Sequence, residues 1–319
     1  MITVCGEALV DLVSVDGRHY TAHPGGSPAN VAVGLARLGV DVSLLARVSD
    51  DAFGRLLRDH LTGNGVDGRD LVPAAEPTTL AVATVGDDGS ATYDFYVEGT
   101  ADWQWAAGEL PERVADDVTA LHTGSMALEM APGATEIESL LRREHHRDAV
   151  TISYDPNIRL ARRGDRRVAR EQVERLVGLA DLVKVSSEDL AWLLPGVAPQ
   201  DVARDWSGRG PGLVVATLGA DGAIAVGPDG EVVTARSPRV DVVDTVGAGD
   251  AFMAGLLSGC AGAGLLGAGP RDRLAALDPA QLKSLLARAG TVAALTCGRA
   301  GADPPSQAEL AAATAPAPI

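Results

Sequence analysis

The chain has 319 residues, of which 46% are hydrophobic but only 3% aromatic, and a formal net charge of −16. Length and apolar content fit one large α/β domain with a small appendage, its core built mainly from Ala, Val and Leu. So acidic a surface argues against nucleic acid and anionic membrane as partners, while still permitting an anionic ligand held locally by a basic group or backbone N–H groups. The only lysines are Lys184 and Lys283, which argues against a lysine-dependent phosphate loop. Cys5, Cys260 and Cys297 are odd in number and lack metal-ligand spacing, and read as buried thiols in a reducing compartment. The start, Met-Ile-Thr-Val-Cys-Gly-Glu, has no basic region and an early carboxylate, so the expectation is a cytoplasmic protein without a signal peptide. Residues 251–270 carry no charge, but they are rich in Gly, Ala and Ser and read as a buried helix and loop rather than a membrane span.

In chain order, Ile2–Cys5 reads as a strand, Pro28–Leu38 as a helix with Pro in its first turn and Gly39 at its end, and Val42–Val48 as a strand. Asp51–Thr62 reads as a helix with an acidic start. Further strands are predicted at Ala120–Thr123, Val150–Tyr154, Leu182–Val185 and Leu213–Thr217. Helices are predicted at Gly133–His145, Val168–Leu179, Ala203–Gly208, Asp250–Cys260 and Pro279–Thr296. This alternation predicts an α/β fold, a mostly parallel sheet with helices on both faces. Two stretches break the rhythm, Leu12–His23 and Thr78–Val97. In the second, two runs flank an Asp-Asp-Gly-Ser turn at 87–90 and form a hairpin apart from the main sheet. The expected organisation is an α/β core of residues 1–11, 24–77 and 100–310, a β lid of 12–23 and 78–99, and a frayed tail at 311–319.

The run Asp244-Thr-Val-Gly-Ala-Gly-Asp-Ala-Phe-Met-Ala-Gly255 carries the most chemistry. Gly247, Ala248 and Gly249 are small, and they stand where a helix begins. Their N–H groups and the positive helix end make a cradle for a phosphoryl group gaining charge. Asp250 falls in the first helical turn beside that cradle, placed to accept a hydroxyl proton.

That string resembles the second signature of the ribokinase-like (PfkB) carbohydrate kinases. Gly25-Gly26-Ser-Pro-Ala-Asn30 resembles their first, and the likeness runs from Gly6 to Ala302, with the fructokinase branch most similar. The resemblance implies ATP as phosphoryl donor, a sugar as acceptor, Mg²⁺ as cofactor, possible activation by K⁺, and a homodimer joined through the lid strands. Asp11, Gly25, Gly26, Asn30 and Asp250 would hold the sugar. Asp155-Pro-Asn157-Ile-Arg159 resembles the family's Asp-Pro-Asn-x-Arg, implying that Arg159 reaches the transferred phosphate and that Asp155 and Asn157 border the substrate. Thr217, Gly219 and Gly222 would cover ATP, together with Ser186, Gly247 and Gly249. Ser186 and Asp189 occupy the places of Asn and Glu in the family's magnesium motif, with Glu188 adjacent. Asp244, with backbone carbonyls near Val246 and Gly301, resembles the monovalent-cation site, although Gly298 and Ala300 depart from the usual fructokinase pattern.

Val97 stands where some relatives carry Arg, and Glu98 follows it, which argues against 2-keto-3-deoxygluconate and phosphorylated sugars. His19, His23, Tyr96 and Trp103 could pack over a neutral ring. Fructose is the expected acceptor, with another ketose or a nucleoside as rivals. A non-catalytic sugar or nucleotide sensor is the alternative of another class. A dinucleotide dehydrogenase is disfavoured, because Gly6-Glu-Ala-Leu-Val-Asp11 follows the first strand in place of Gly-x-Gly-x-x-Gly.

Overall fold

The computed structural model describes residues 1–85, 91–106, 108–159 and 164–314. Its large sheet orders Val232–Ala235, Ala223–Val226, Leu213–Thr217, Leu182–Ser186, Thr151–Asp155, Ala120–Gly124, Ile2–Cys5, Val42–Ser49 and Leu71–Ala74. Pairing is parallel from Leu71–Ala74 through Leu213–Thr217, and the remaining two strands add antiparallel. The parallel strands are Val/Leu/Ile-rich because both of their faces are covered. Leu213 and Val215 join one apolar cluster and Val214 and Ala216 the other, so the pleat divides the core in two.

The predicted strands and helices that carry the signature motifs are present, displaced at their ends by a few residues. Sequence reading did not separate the short strands Leu71–Ala74, Ala223–Val226 and Val232–Ala235, nor the helices Ser187–Leu193, Pro270–Ala275 and Gln307–Thr314. Runs of four residues between turn signals carry too little periodicity to be told from loop. Helix Gln307–Thr314 carries helical structure into the segment expected to fray from 311, with Leu310 buried in the core and residues 311–314 exposed; residues 315–319 lie outside the described residues.

A second sheet orders Thr21–Gly25, Leu9–Ser14, Leu80–Val85 and Ala91–Tyr96. Its Leu9–Ser14 strand carries Asp11, so this sheet begins before residue 12 and ends after residue 23, wider than the expected lid. The expected turn at 87–90 lies outside the described residues, although the strands on either side pair antiparallel.

Three helices fix the centre of the molecule. Helix Ala248–Gly262 is buried almost all round, packed between Ser27–Arg37 and Pro279–Cys297. Close approach explains its composition. A Cβ on Gly255 would lie 2.9 Å from the Ala289 backbone, and one on Gly259 2.8 Å from Leu285. On the other side, a Cβ on Gly34 would lie 2.7 Å from the Ala254 methyl. The uncharged stretch at 251–270 is therefore the body of a core helix that ends at Gly262 followed by a loop, and no helix among the described residues is long and apolar enough to cross a membrane. Gly255→Val should destabilise the chain by about 1–3 kcal/mol, the ordinary cost of overpacking. A denaturant midpoint unchanged from wild type would contradict this packing.

Candidate active site

The parallel strands end side by side at Gly124, Asp155, Ser186 and Thr217. Open α/β sheets collect ligands at such carboxyl ends. A cavity of about 1150 Å³ opens there, lined among others by Asn157, Arg159, Lys184, Thr217 and Gly249. That volume holds a molecule of nucleotide size.

Helix Ala248–Gly262 starts at the cavity wall. Its N-cap is Gly247, at φ 74°, and a Cβ there would lie 2.6 Å from that of Ala302. Only glycine satisfies both conditions. Ala248 and Gly249 line the cavity itself. The Ala248 N–H donates to the Thr245 carbonyl at 3.2 Å, so the Gly249 N–H and the positive helix end are what make this wall attractive to an anion.

Asp250 follows in the same turn, is 7% exposed, and does not line the cavity. Its Oδ1 accepts a 2.7 Å hydrogen bond from the Ser27 hydroxyl, and its Oδ2 accepts a 2.9 Å bond from Asn30 Nδ2. Residues more than 200 positions apart thus meet at one carboxylate. The loop before helix Ser27–Arg37 is shaped for this meeting. Gly26 has φ 99°, and a Cβ on it would lie 2.7 Å from the Glu7 carbonyl. A Cβ on Gly25 would lie 2.1 Å from the Asp11 carboxylate, so Asp11 packs directly on the loop. Burial, and then the nearby Asp250 charge, raise the Asp11 pKa to about 6. Asp11, Gly25, Gly26, Asn30 and Asp250 therefore form one polar cluster beside the anion wall.

The strand Ala91–Tyr96 supplies a correction. Register sets Asp11 beside Ala81, and Ala81 opposite Phe95. Directly paired residues share a sheet face, and alternation puts Tyr93 on that face too. Tyr96 projects from the opposite face, away from Asp11, and is 61% exposed. Tyr93 is the aromatic that reaches the site. Burial, then the charges of Asp11 and Asp244, push its hydroxyl pKa up. Trp103, also expected near the ring, is instead fully buried in the core, and His19 is exposed and paired with Asp16. His23 lies directly across from Asp11 in the sheet.

On the nucleotide side, Ser186, Glu188, Asp189, Thr217, Gly219 and Gly222 all line the cavity. Ser186 caps helix Ser187–Leu193: its hydroxyl accepts the Asp189 N–H at 3.0 Å and donates to Asp189 Oδ2 at 2.8 Å. Asp189 is therefore buried and held, while Glu188 is exposed. Asn157 and Arg159 lie on the wall as well, Asn157 with φ 38°. Asp155 is not on that wall. It lies beneath it, where it accepts a 2.7 Å hydrogen bond from the Lys184 ammonium. Lys184 was passed over in the sequence because it belongs to no glycine-rich loop, yet it lines the cavity next to Gly249.

Asp244 is joined to both of the residues expected beside it. Its two oxygens accept N–H groups, from Val246 at 3.0 Å and from Gly301 at 2.8 Å, so these residues meet the carboxylate through donors. The arrangement ties the terminal segment to the loop before the anion wall.

Two more carboxylates support the sugar-side loop from below. Glu7 accepts the Ala127 N–H at 3.0 Å, and Asp102 accepts the Ala8 N–H at 2.9 Å. Burial pushes Glu7 from its ordinary 4.5 up to about 8, with the Asp102 charge adding and its hydrogen bonds opposing. Burial likewise raises Asp102 to about 7. A raised carboxyl pKa stabilises the fold below the unfolded-state value, and that contribution is lost as pH climbs through the folded value. Thermal stability should therefore fall between about pH 5 and pH 9, and Glu7→Gln should flatten the fall. Parallel profiles for both proteins would show that Glu7 is ionised in the fold.

Comparison with known proteins agrees with this geometry. The sequence profile described as "pfkB family carbohydrate kinase" matches residues 1–309. A fructokinase from Rhizobium leguminosarum bv. trifolii is 36% identical over 288 residues, 89% of this chain and 86% of its own length. The crystal structure of a Vibrio cholerae fructokinase with bound fructose, ADP and calcium superposes with TM-score 0.81 at 30% identity, covering 98% of each chain. A Xylella fastidiosa fructokinase with bound ATP gives TM-score 0.84 at 28% identity, covering 98% of this chain and 97% of the other. With matching signatures at both ends of the site and a match over nearly all its length, this chain belongs to the pfkB family of carbohydrate kinases.

Proposed function

We propose that this chain is an ATP-dependent fructose kinase that transfers the γ-phosphoryl group to a primary hydroxyl of the sugar. The observation that carries the reading is Asp250, held between Ser27 and Asn30 on one side and the anion wall on the other. The similarity to fructokinases supports the choice of sugar.

In this reading Asp11, Asn30 and the Gly25–Gly26 backbone bind the sugar hydroxyls. Tyr93 and Phe95 cover the ring, and the second sheet acts as a lid that excludes competing water. Asp250 takes the hydroxyl proton as the new O–P bond forms and the bond from Pγ to the departing ADP oxygen breaks. The cradle of Gly247, Ala248 and Gly249, together with Arg159, holds the charge that develops on the phosphoryl oxygens. Thr217, Gly219 and Gly222 line the nucleotide path, and Val240, Leu286 and Cys297 offer apolar wall for the base.

Mg²⁺ would be held through water by Ser186, Asp189 and Glu188. These hard oxygen donors suit that ion, and no closed cage of metal-binding side chains exists among the described residues. Bound there, the ion would neutralise charge on the phosphates. Activation by a monovalent cation near Asp244, Val246 and Gly301 also belongs to this proposal. So does a cytoplasmic homodimer joined through the second sheet, for which exposed Tyr96, Val15 and Tyr20 offer apolar surface.

Coupled ATPase assay against ketoses, aldoses and nucleosides tests the reading, with fructose expected as the best acceptor. A nucleoside turned over in preference to every sugar would overturn the assignment. Asp250→Ala should lower kcat at least ~10³-fold with ATP binding retained, as expected for loss of a general base. Near-normal turnover in that variant would remove the mechanism.

A further inference from the structure

Lys184 is an unusual residue to find where it is. Its side chain is only 4% exposed, yet it carries one of the two lysine ammonium groups of an acidic chain. Its Nζ lies 3.1 Å from the place a Gly249 Cβ would occupy, against the first turn of helix Ala248–Gly262. A cation at the positive end of a helix is repelled by the dipole unless an anion lies between them or beside them.

Asp155 supplies one such anion, at 2.7 Å. It occupies the side of the ammonium away from the cavity: Asp155 is absent from the cavity wall, whereas Lys184 and Gly249 are both on it. An ammonium has three donors, and Asp155 Oδ2 uses one. The pair is thus directional: the carboxylate lies off the cavity wall, and the ammonium lies on it beside Gly249. That face reaches the cavity floor, whereas Arg159 approaches from an exposed loop. The charge of Lys184 is felt nearby, since it joins burial in pushing His122 down to about 3.

We infer that Lys184 is a further catalytic residue of this site, donating to the terminal phosphoryl group of a nucleoside triphosphate and following it through transfer, with Asp155 as the positioning residue behind it. The inference rests on the kinase reading above. No bond to lysine forms. The acceptor proton goes to Asp250, the phosphoryl group moves from the ADP oxygen to the sugar oxygen, and Lys184 stays protonated throughout. Because its contact is to the group that moves, it distinguishes ATP from ADP. A Cβ at position 249 would stand 3.1 Å from the ammonium, close enough that the lysine would have to give way by a few tenths of an ångström.

The presence of only two lysines allows a direct test on the intact wild-type chain. With ¹³Cε-labelled lysine, Lys283→Arg identifies the Lys184 signal. That signal should move on adding a non-hydrolysable ATP analogue with Mg²⁺, and move much less with ADP. Identical Lys184 spectra in the two complexes would overturn the inference. The paired variant Lys184→Met/Asp155→Asn avoids leaving a buried carboxylate alone. It should lose ~10²–10³-fold in kcat, the loss typical of one preorganised donor, while KM for the sugar stays within about threefold. It should also lose most of the preference for ATP over ADP in binding. A merely structural pair would leave that preference intact, which would equally count against the inference. Absence of phosphorylated product from any acceptor with wild-type protein would instead sink the kinase reading, a separate outcome from the NMR result.

Discussion

Two hydrogen bonds onto one carboxylate organise this molecule. Ser27 and Asn30 belong to the first helix, and Asp250 to a helix near the other end of the chain. Neither contact survives unless those helices lie almost backbone to backbone. Gly34 against Ala254, one turn and more from the site, permits that approach, and Gly255 and Gly259 permit the matching one on the far side. At these three positions glycine is this requirement made visible. Small residues let a buried helix carry a charged group at its tip and still be clamped on both flanks.

The electrostatics follow from where the helix begins. Its positive end faces a cavity that carries Lys184 and Arg159, and Asp250 stands beside it on the sugar side. Cation and carboxylate are separated by a single turn of backbone. Charge that appears on a transferring phosphoryl group meets donors, and the proton that leaves the acceptor meets an acceptor. The overall charge of −16 does not oppose this, because the local field is set by groups within a few ångströms and distant charges are screened.

Much of this was legible in the sequence. The two glycine-rich runs, at 25–30 and 244–255, are long enough strings to specify a site, and strand–helix alternation specified the large sheet. What was not legible depended on register and depth. Alternation separated Tyr93 from Tyr96 but could not say which face carries Asp11, because strand pairing decides that. Asp155 looked like a substrate ligand because it ends a strand; depth below the wall makes it the partner of Lys184. Lys184 itself resembled any strand lysine until Gly249 was found against it. Leu9–Ser14 was missed as a strand because one face is core and the other lines the site, which blurs a simple alternation.

The central claim is that one carboxylate serves both halves of the cleft. A crystal structure of the chain with fructose and a non-hydrolysable ATP analogue tests it most directly. The account predicts a primary hydroxyl of the sugar within about 3 Å of an Asp250 oxygen, with the γ-phosphate against the N–H groups of Ala248 and Gly249. A sugar bound away from Asp250, or a nucleotide whose phosphates turn from that helix start, would contradict it.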